Sequence, residues 1–111
     1  MRLRDKVDFE SVFRRSKKST DGCFAVLYRD NRLPYARLGL AISRRCARAA
    51  VVRNRIKRVI RENFRHQQLE LAGLDIVVIG RANLVTRSNA ELVSSLTRHW
   101  RTVTRKCVLS H

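Results

Sequence analysis

Residues 44–65 read RRCARAAVVRNRIKRVIRENFR, and the rest of the chain is arranged around them. Nine of these 22 residues are Arg or Lys and only Glu62 is acidic, so one fifth of the chain carries +8, half of the formal net charge of +16. From Val52 onward the apolar residues Val52, Ile56, Val59, Ile60 and Phe64 recur at i, i+4, i+7, i+8 and i+12. That is one side of a helix, and it must face a core. Asn54, Lys57, Arg58, Arg61 and Arg65 fall on the opposite side, with Arg53 and Arg55 on the flanks. Like charges one turn apart destabilise an isolated helix by a few tenths of a kcal/mol per pair, so about 1 kcal/mol is lost here unless a polyanion faces them. A merely solvated face would intersperse Glu and Asp for solubility, and this one has a single Glu62.

Before this helix, residues 36–43 (ARLGLAIS) predict a strand with Leu38, Leu40 and Ile42 on one face and Arg37, Gly39, Ala41 and Ser43 on the other. The second face has little bulk and leaves room for the helix itself or a nucleic-acid strand. Residues 23–29 (CFAVLYR), opened by an Asp21-Gly22 turn, predict a largely buried strand, and 30–34 a hairpin-like connection with the only proline. Residues 5–16 predict a short helix with Asp5 as N-cap and Phe9, Val12 and Phe13 on one face, left through the basic residues Arg14, Arg15, Lys17 and Lys18. Phe9 and Phe13 read as core packing, which at a rim still leaves a ring face for a nucleobase.

After the basic helix, residues 67–74 end at a Gly73 turn and 75–80 (DIVVIG) predict a short central strand, with Arg81 at its end. Ser88 and Glu91 form an S-x-x-E capping box opening a helix with Leu92, Leu96, Trp100 and Val103 as core stripe. Arg98, Arg101, Arg105 and Lys106 cover its outer face. At 111 residues and 44% hydrophobic, residues 1–111 make one domain, an α+β stack of helices on a small sheet.

The charge points to an acidic partner, and 20 Arg against 5 Lys favours forked contacts to phosphate and stacking on bases. No apolar run approaches membrane-spanning length and the N-terminus has no signal-peptide pattern, so a cytoplasmic protein is expected. Cys23, Cys46 and Cys107 are scattered, without CxxC spacing, and read as free thiols used as small hydrophobes. The nine carboxylates are dispersed, with no pair placed to hold a metal and no Ser-His-Asp or phosphate-loop motif, so no catalytic residue and no protein metal site is expected. A basic helix flanked by strands is not a helix-turn-helix, which argues against major-groove reading of DNA. The pattern by itself describes an RNA-binding module, with a ribosomal-protein-like rRNA scaffold as the alternative and a DNA-binding regulator third.

The run AVVRNRIKRVIRENFR, with Val52-Arg53-Asn54-Arg55-Ile56-Lys57-Arg58 at its centre, closely resembles the RNR signature helix of the bacterial ribonuclease P protein subunit. Asp8-Phe9 with Val12-Phe13, RLGLAISRR at 37–45, DIVVIGR at 75–81 and LTRHWR at 96–101 extend the resemblance over nearly the whole chain in order. It implies an α-β-β-β-α-β-α fold, a mixed sheet of about four strands with three helices. It also implies a left-handed crossover through the RNR helix, where the general rule gives right-handed. The extra strand is expected from splitting residues 23–43 differently. The implied function is that of a monomeric protein, one per RNA, in a ribonucleoprotein endonuclease. There the RNA subunit cleaves the 5′ leader from precursor tRNA with Mg²⁺ that it mainly binds itself, and no small-molecule cofactor takes part. By motif, Arg53, Asn54, Arg55, Lys57, Arg58, Arg61 and Arg65 match contacts to the catalytic RNA, and Phe9, Phe13, Arg44, Arg45, Arg48 and Arg81 the cleft for the single-stranded leader. Leu27 stands near a position where some members carry a leader-contacting aromatic, with Tyr28 expected on the opposite face.

Overall fold

A computed structural model describes residues 16–109, with side chains described through residue 105. The helix expected over 5–16 falls outside these residues except for Ser16, which is not helical, and Phe9 and Phe13 lie outside with it. Strands β1 (Lys17–Thr20), β2 (Phe24–Asp30) and β3 (Arg37–Ala41) precede helix α1 (Ala50–Gln67). Strand β4 (Leu74–Gly80), a 3₁₀ turn at Leu84–Thr86 and helix α2 (Asn89–Leu109) follow. The four strands form one mixed sheet ordered β1-β2-β4-β3, in which β4 runs antiparallel to β2 and parallel to β3. This is the α+β class expected, with α1 as the crossover between the parallel pair.

Two expectations are corrected. The additional strand comes from Lys17–Thr20, not from residues 23–43, and it pairs Ser19 with Val26 at the sheet edge. Its sequence KKST has no apolar alternation because three of its four residues are exposed, and lysines on an edge strand discourage pairing with other chains. Residues 30–34 do not close a hairpin, since β4 lies between β2 and β3. Leu74 through Val78 are buried on both parities, so both faces of this strand are covered, as suits a central position with β2 and β3 paired on its two edges. The connection is tied instead to the turn before β4, where Asn31 N donates to Gly73 O at 2.8 Å and Gly73 N donates to Tyr35 O at 3.2 Å. Gly73 has φ +88, the left-handed region that glycine enters without a Cβ clash.

Alternation along the strands sorts the sheet into two faces. Phe24, Val26, Tyr28, Leu38, Ile76 and Val78 pack in one cluster with Ile56, Ile60 and Phe64 of α1 and Leu92, Leu96, Trp100 and Val103 of α2. Val52 and Val59 pack partly buried against it, so the predicted apolar side of α1 is the side that is buried. Each such aliphatic or aromatic side chain contributes about 1.5–3 kcal/mol relative to exposure. Leu27, Val77 and Ile79 form a separate cluster on the other face, which also carries Gly39 and Ala41 by register. Leu27 and Tyr28 are therefore on opposite faces as expected, and α1 lies against the bulky face, not the small-residue one. Where α1 meets α2, Trp100 stands edge-on to Phe64 with ring centroids 6.3 Å apart. Its Nε1 donates to Asn63 Oδ1 at 2.6 Å, which satisfies the indole inside the core.

Candidate nucleic-acid interface

The segment joining β3 to α1 is basic outside and apolar inside. Cys46 and Ala47 are buried at 0% and 3% exposure, while Arg44, Arg45 and Arg48 on either side are exposed. Cys46 seats deeply because position 80 has no side chain: a Cβ on Gly80 would stand 2.7 Å from Cys46 Sγ. Backbone bonds lock the segment in place, with Cys46 N donating to Ser43 O, Asn83 N to Arg45 O and Val85 N to Cys46 O at 3.0–3.3 Å. Helix α1 then starts without a side-chain cap, with Ala49 at the N-cap and no acid in the first turn, so its N-terminal amides and positive dipole end stay unneutralised. Arg53 reaches back from inside the helix, and its Nη1 donates to Ala47 O at 3.1 Å and Arg48 O at 2.8 Å.

Two open cavities adjoin this segment. One, of about 640 Å³, is lined by Arg44, Arg45, Arg48, Ala50 and Arg53. The other, of about 680 Å³, lies at the C-terminal ends of the parallel strands and is lined by Leu40, Ala41, Ile42, Ser43, Ile79, Gly80 and Ala82 with the cations Arg45, Lys57 and Arg81. Arg45 belongs to both. Of the residues expected in the leader cleft, Arg44, Arg45, Arg48 and Arg81 are thus brought together, and Phe9 and Phe13 lie outside the described residues. Lys57, grouped by sequence with the catalytic-RNA contacts, shares the cavity of Arg45 and Arg81. Its position 24 residues before Arg81 carries no signal of this; only the parallel register, which brings Ala41 beside Ile79, does.

The remaining motif residues divide by exposure. Asn54, Arg58, Arg61 and Arg65 are exposed on one side of α1, whereas Arg53 and Arg55 are half-buried on its flanks. Arg55 is directed at the start of α2, where Nη1 donates to Asn89 Oδ1 at 3.2 Å. Glu62 pairs with Arg65 and lies 3.7 Å from His66 Nε2, so the one acid of this surface is engaged by its own helix.

The enclosed acids, Asp75 buried and Asp21 half-buried, are committed elsewhere. Asp75, fully buried at the other end of β4, accepts Arg37 Nε and Nη2 at 2.7 Å each, Asn31 Nδ2 at 3.0 Å and Arg29 Nη2 at 3.4 Å. Burial opposes its charge, but the Arg37 and Asn31 hydrogen bonds and the charges of Arg37 and Arg29 prevail and hold the carboxyl below its usual range. Asp21 behaves likewise: burial again opposes the charge, and bonds from Ser95 Oγ and the Phe24 and Cys23 amides lower its pKa. His99 Nε2 lies 3.1 Å from Asp21 Oδ1, while Nδ1 meets Ser19 Oγ at 2.8 Å. The network is invisible in sequence because its members sit on β1, the following turn and α2. Among the described residues no group of three His, Cys, Asp or Glu could hold a metal ion. No helix there is long and apolar enough to cross a membrane.

A basic helix face joined to two cavities that carry arginines, on a small sheet backed by helices, defines a class: an α+β domain with one strongly basic surface suited to a polyanion. The family model Ribonuclease P matches residues 1–104, and the chain belongs to the ribonuclease P protein family. The ribonuclease P protein component of Methylococcus capsulatus is 44% identical over 106 residues, covering 96% of this chain and 83% of that protein. Among solved structures, the RNase P protein of Staphylococcus aureus matches with a TM-score of 0.83 at 29% identity, over 92% of this chain and 93% of that one. The RNase P protein from Thermotoga maritima matches with a TM-score of 0.72 at 36% identity, over 88% and 96%.

Proposed function

We propose that this chain is the non-catalytic protein subunit of a ribonuclease P ribonucleoprotein, one copy per RNA. It binds the catalytic RNA and the single-stranded 5′ leader of precursor tRNA, and so aids removal of the leader by the RNA. The observation that carries this reading is the continuous basic surface from Arg44 to Arg65, two cavities and a helix face whose single acid, Glu62, is already paired. The exposed Asn54, Arg58, Arg61 and Arg65 meet the structured RNA, with Arg53 and Arg55 supporting them from the flanks. The cavity of Arg45, Lys57 and Arg81 has apolar walls from Leu40, Ile42 and Ile79 beside its cations, which suits one unstacked base and its phosphate. Phe9 and Phe13 belong to the leader cleft by their motif match.

The protein's contribution is electrostatic and positional. Its cations offset repulsion between two RNA backbones and hold the leader in register, so less Mg²⁺ is needed to bring them together. Mg²⁺, held mainly by the RNA in this reading, supplies the charge stabilisation of phosphodiester cleavage when bound. The test is reconstitution with a bacterial ribonuclease P RNA and a precursor tRNA. Addition of the protein is expected to lower the Mg²⁺ concentration at half-maximal cleavage several-fold, and the protein alone to leave the substrate intact. Cleavage by protein alone, or an unchanged Mg²⁺ requirement, contradicts the reading.

A further inference from the structure

The first arginine of the RNR motif is spent on the protein itself. Arg53 sits one turn inside α1 and donates two hydrogen bonds from one nitrogen, Nη1, to the carbonyls of Ala47 and Arg48. Those carbonyls belong to the segment that presents Arg44, Arg45 and Arg48, and the same five-residue cavity wall contains Arg53. Among the described residues the helix start offers this segment no other side-chain tie: Ala49 supplies no cap, and the first turn has no acid that could reach back. The backbone bonds that anchor the segment reach Arg45 and Cys46 on the side of Asn83 and Val85, and stop there. Arg53 therefore holds the last two residues before the N-cap.

We propose that Arg53 is a positioning residue, which fixes the 44–48 segment so that Arg44, Arg45 and Arg48 meet RNA phosphates together. Its own phosphate contact is secondary. This role rests on the reading of the segment as part of the RNA interface. The chemistry favours arginine over lysine at this position, because a guanidinium extends about one bond further than an ammonium and presents a planar nitrogen with two protons to two acceptors. A lysine keeps the charge and loses the bridge.

The test combines R53K and R53Q with the triple variant R44Q/R45Q/R48Q, measured by filter binding to a bacterial ribonuclease P RNA as a function of salt. A direct phosphate contact contributes about 0.7–0.9 to the slope of log K against log salt. A positioning role predicts that R53K and R53Q both lose slope equivalent to two or more contacts, because the three segment arginines lose purchase with Arg53. In the RNA-free protein it also predicts that R53K shifts the backbone amide resonances of Ala47, Arg48 and Ala49 while the melting temperature changes little. R53K with wild-type affinity and unshifted amides, beside an impaired triple variant, would overturn the positioning role alone. A triple variant that binds RNA like wild type would remove the segment from the interface, and this role with it.

Discussion

At the scale of single residues, the chain treats its acids and its bases differently. Nine carboxylates serve 25 Arg and Lys, and the two most enclosed among the described residues, Asp21 and Asp75, are used to join elements. Asp21 closes the β1–β2 turn by accepting the Cys23 and Phe24 amides at 2.8 and 2.9 Å and, through Ser95, fastens that turn to α2. Its folded-state pKa lies below the ordinary 3.8, so its contribution to stability is fully present above pH 3.8 and is lost as pH falls toward the lowered value. D21N is expected to cost about 2 kcal/mol at neutral pH, since hydrogen bonds to a charged group are replaced by weaker ones. Thermal melts of both proteins from pH 6 to pH 2 check the sign: the wild-type advantage stays constant down to about pH 4 and then shrinks. Asp75 titrates in the same direction in both proteins, so the difference between them isolates Asp21. An advantage that grows on acidification contradicts the assignment. None of this was legible in the sequence, where Asp21 shows only as a turn residue; what makes it a hub is Ser95, 74 residues away.

At the scale of elements, α1 is the part that sequence describes best, because a helix writes its two faces into a period of 3.6 residues. Ile56, Ile60 and Phe64 are buried, Asn54, Arg58, Arg61 and Arg65 are exposed, and the flanking Arg53 and Arg55 are half-buried, each as the wheel places it, whereas Lys57, which the wheel puts on the exposed side, is half-buried in the cavity of Arg45 and Arg81. The capping box is equally legible: Glu91 N donates to Ser88 Oγ at 3.1 Å, and α2 begins at Asn89. What the pattern could not carry was pairing. A four-residue edge strand without apolar residues has no periodicity to read, and the insertion of β4 between β2 and β3 depends on contacts between distant segments. The two faces of α1 predict separable phenotypes. R58E/R61E is expected to weaken RNA binding at least tenfold and move the melting temperature by only a few degrees, because both side chains are exposed. I60A removes a fully buried side chain and is expected to cost about 2–5 kcal/mol, lowering the melting temperature by roughly 10 °C or more without a specific loss of RNA affinity in the folded fraction. Denaturant melts beside binding curves for the two variants decide whether the faces are assigned correctly, since exchanged phenotypes would mean a rotated helix.

At the scale of the whole molecule, the sheet separates support from function along its strands. The parallel pair begins at the Arg37 and Asp75 ion pair, where two arginines and an asparagine are absorbed by one buried acid. It ends at the cavity of Arg45, Lys57 and Arg81, where the lining holds no carboxylate among the described residues. Open sheets commonly bind ligands beyond the carboxyl ends of parallel strands, and here that end is also where α1 starts with its positive dipole end. The proposed phosphate contacts therefore fall at one end and on one helix face, although arginine is spread over the entire chain. Affinity for RNA should then follow the charges of this region rather than the full +16. Six phosphate contacts at about 0.8 each give a log–log salt slope near −5, which is about a thousandfold loss of affinity between 50 and 200 mM monovalent salt. R37Q, at the absorbed end, is expected to leave that slope unchanged even where it lowers stability, while R45Q and R81Q each reduce it by about one contact. A slope shallower than about −2, or one that falls equally with R37Q, would mean that RNA is held by apolar and base contacts, or by the net charge as a whole, instead of by the end of the sheet where the free cations collect.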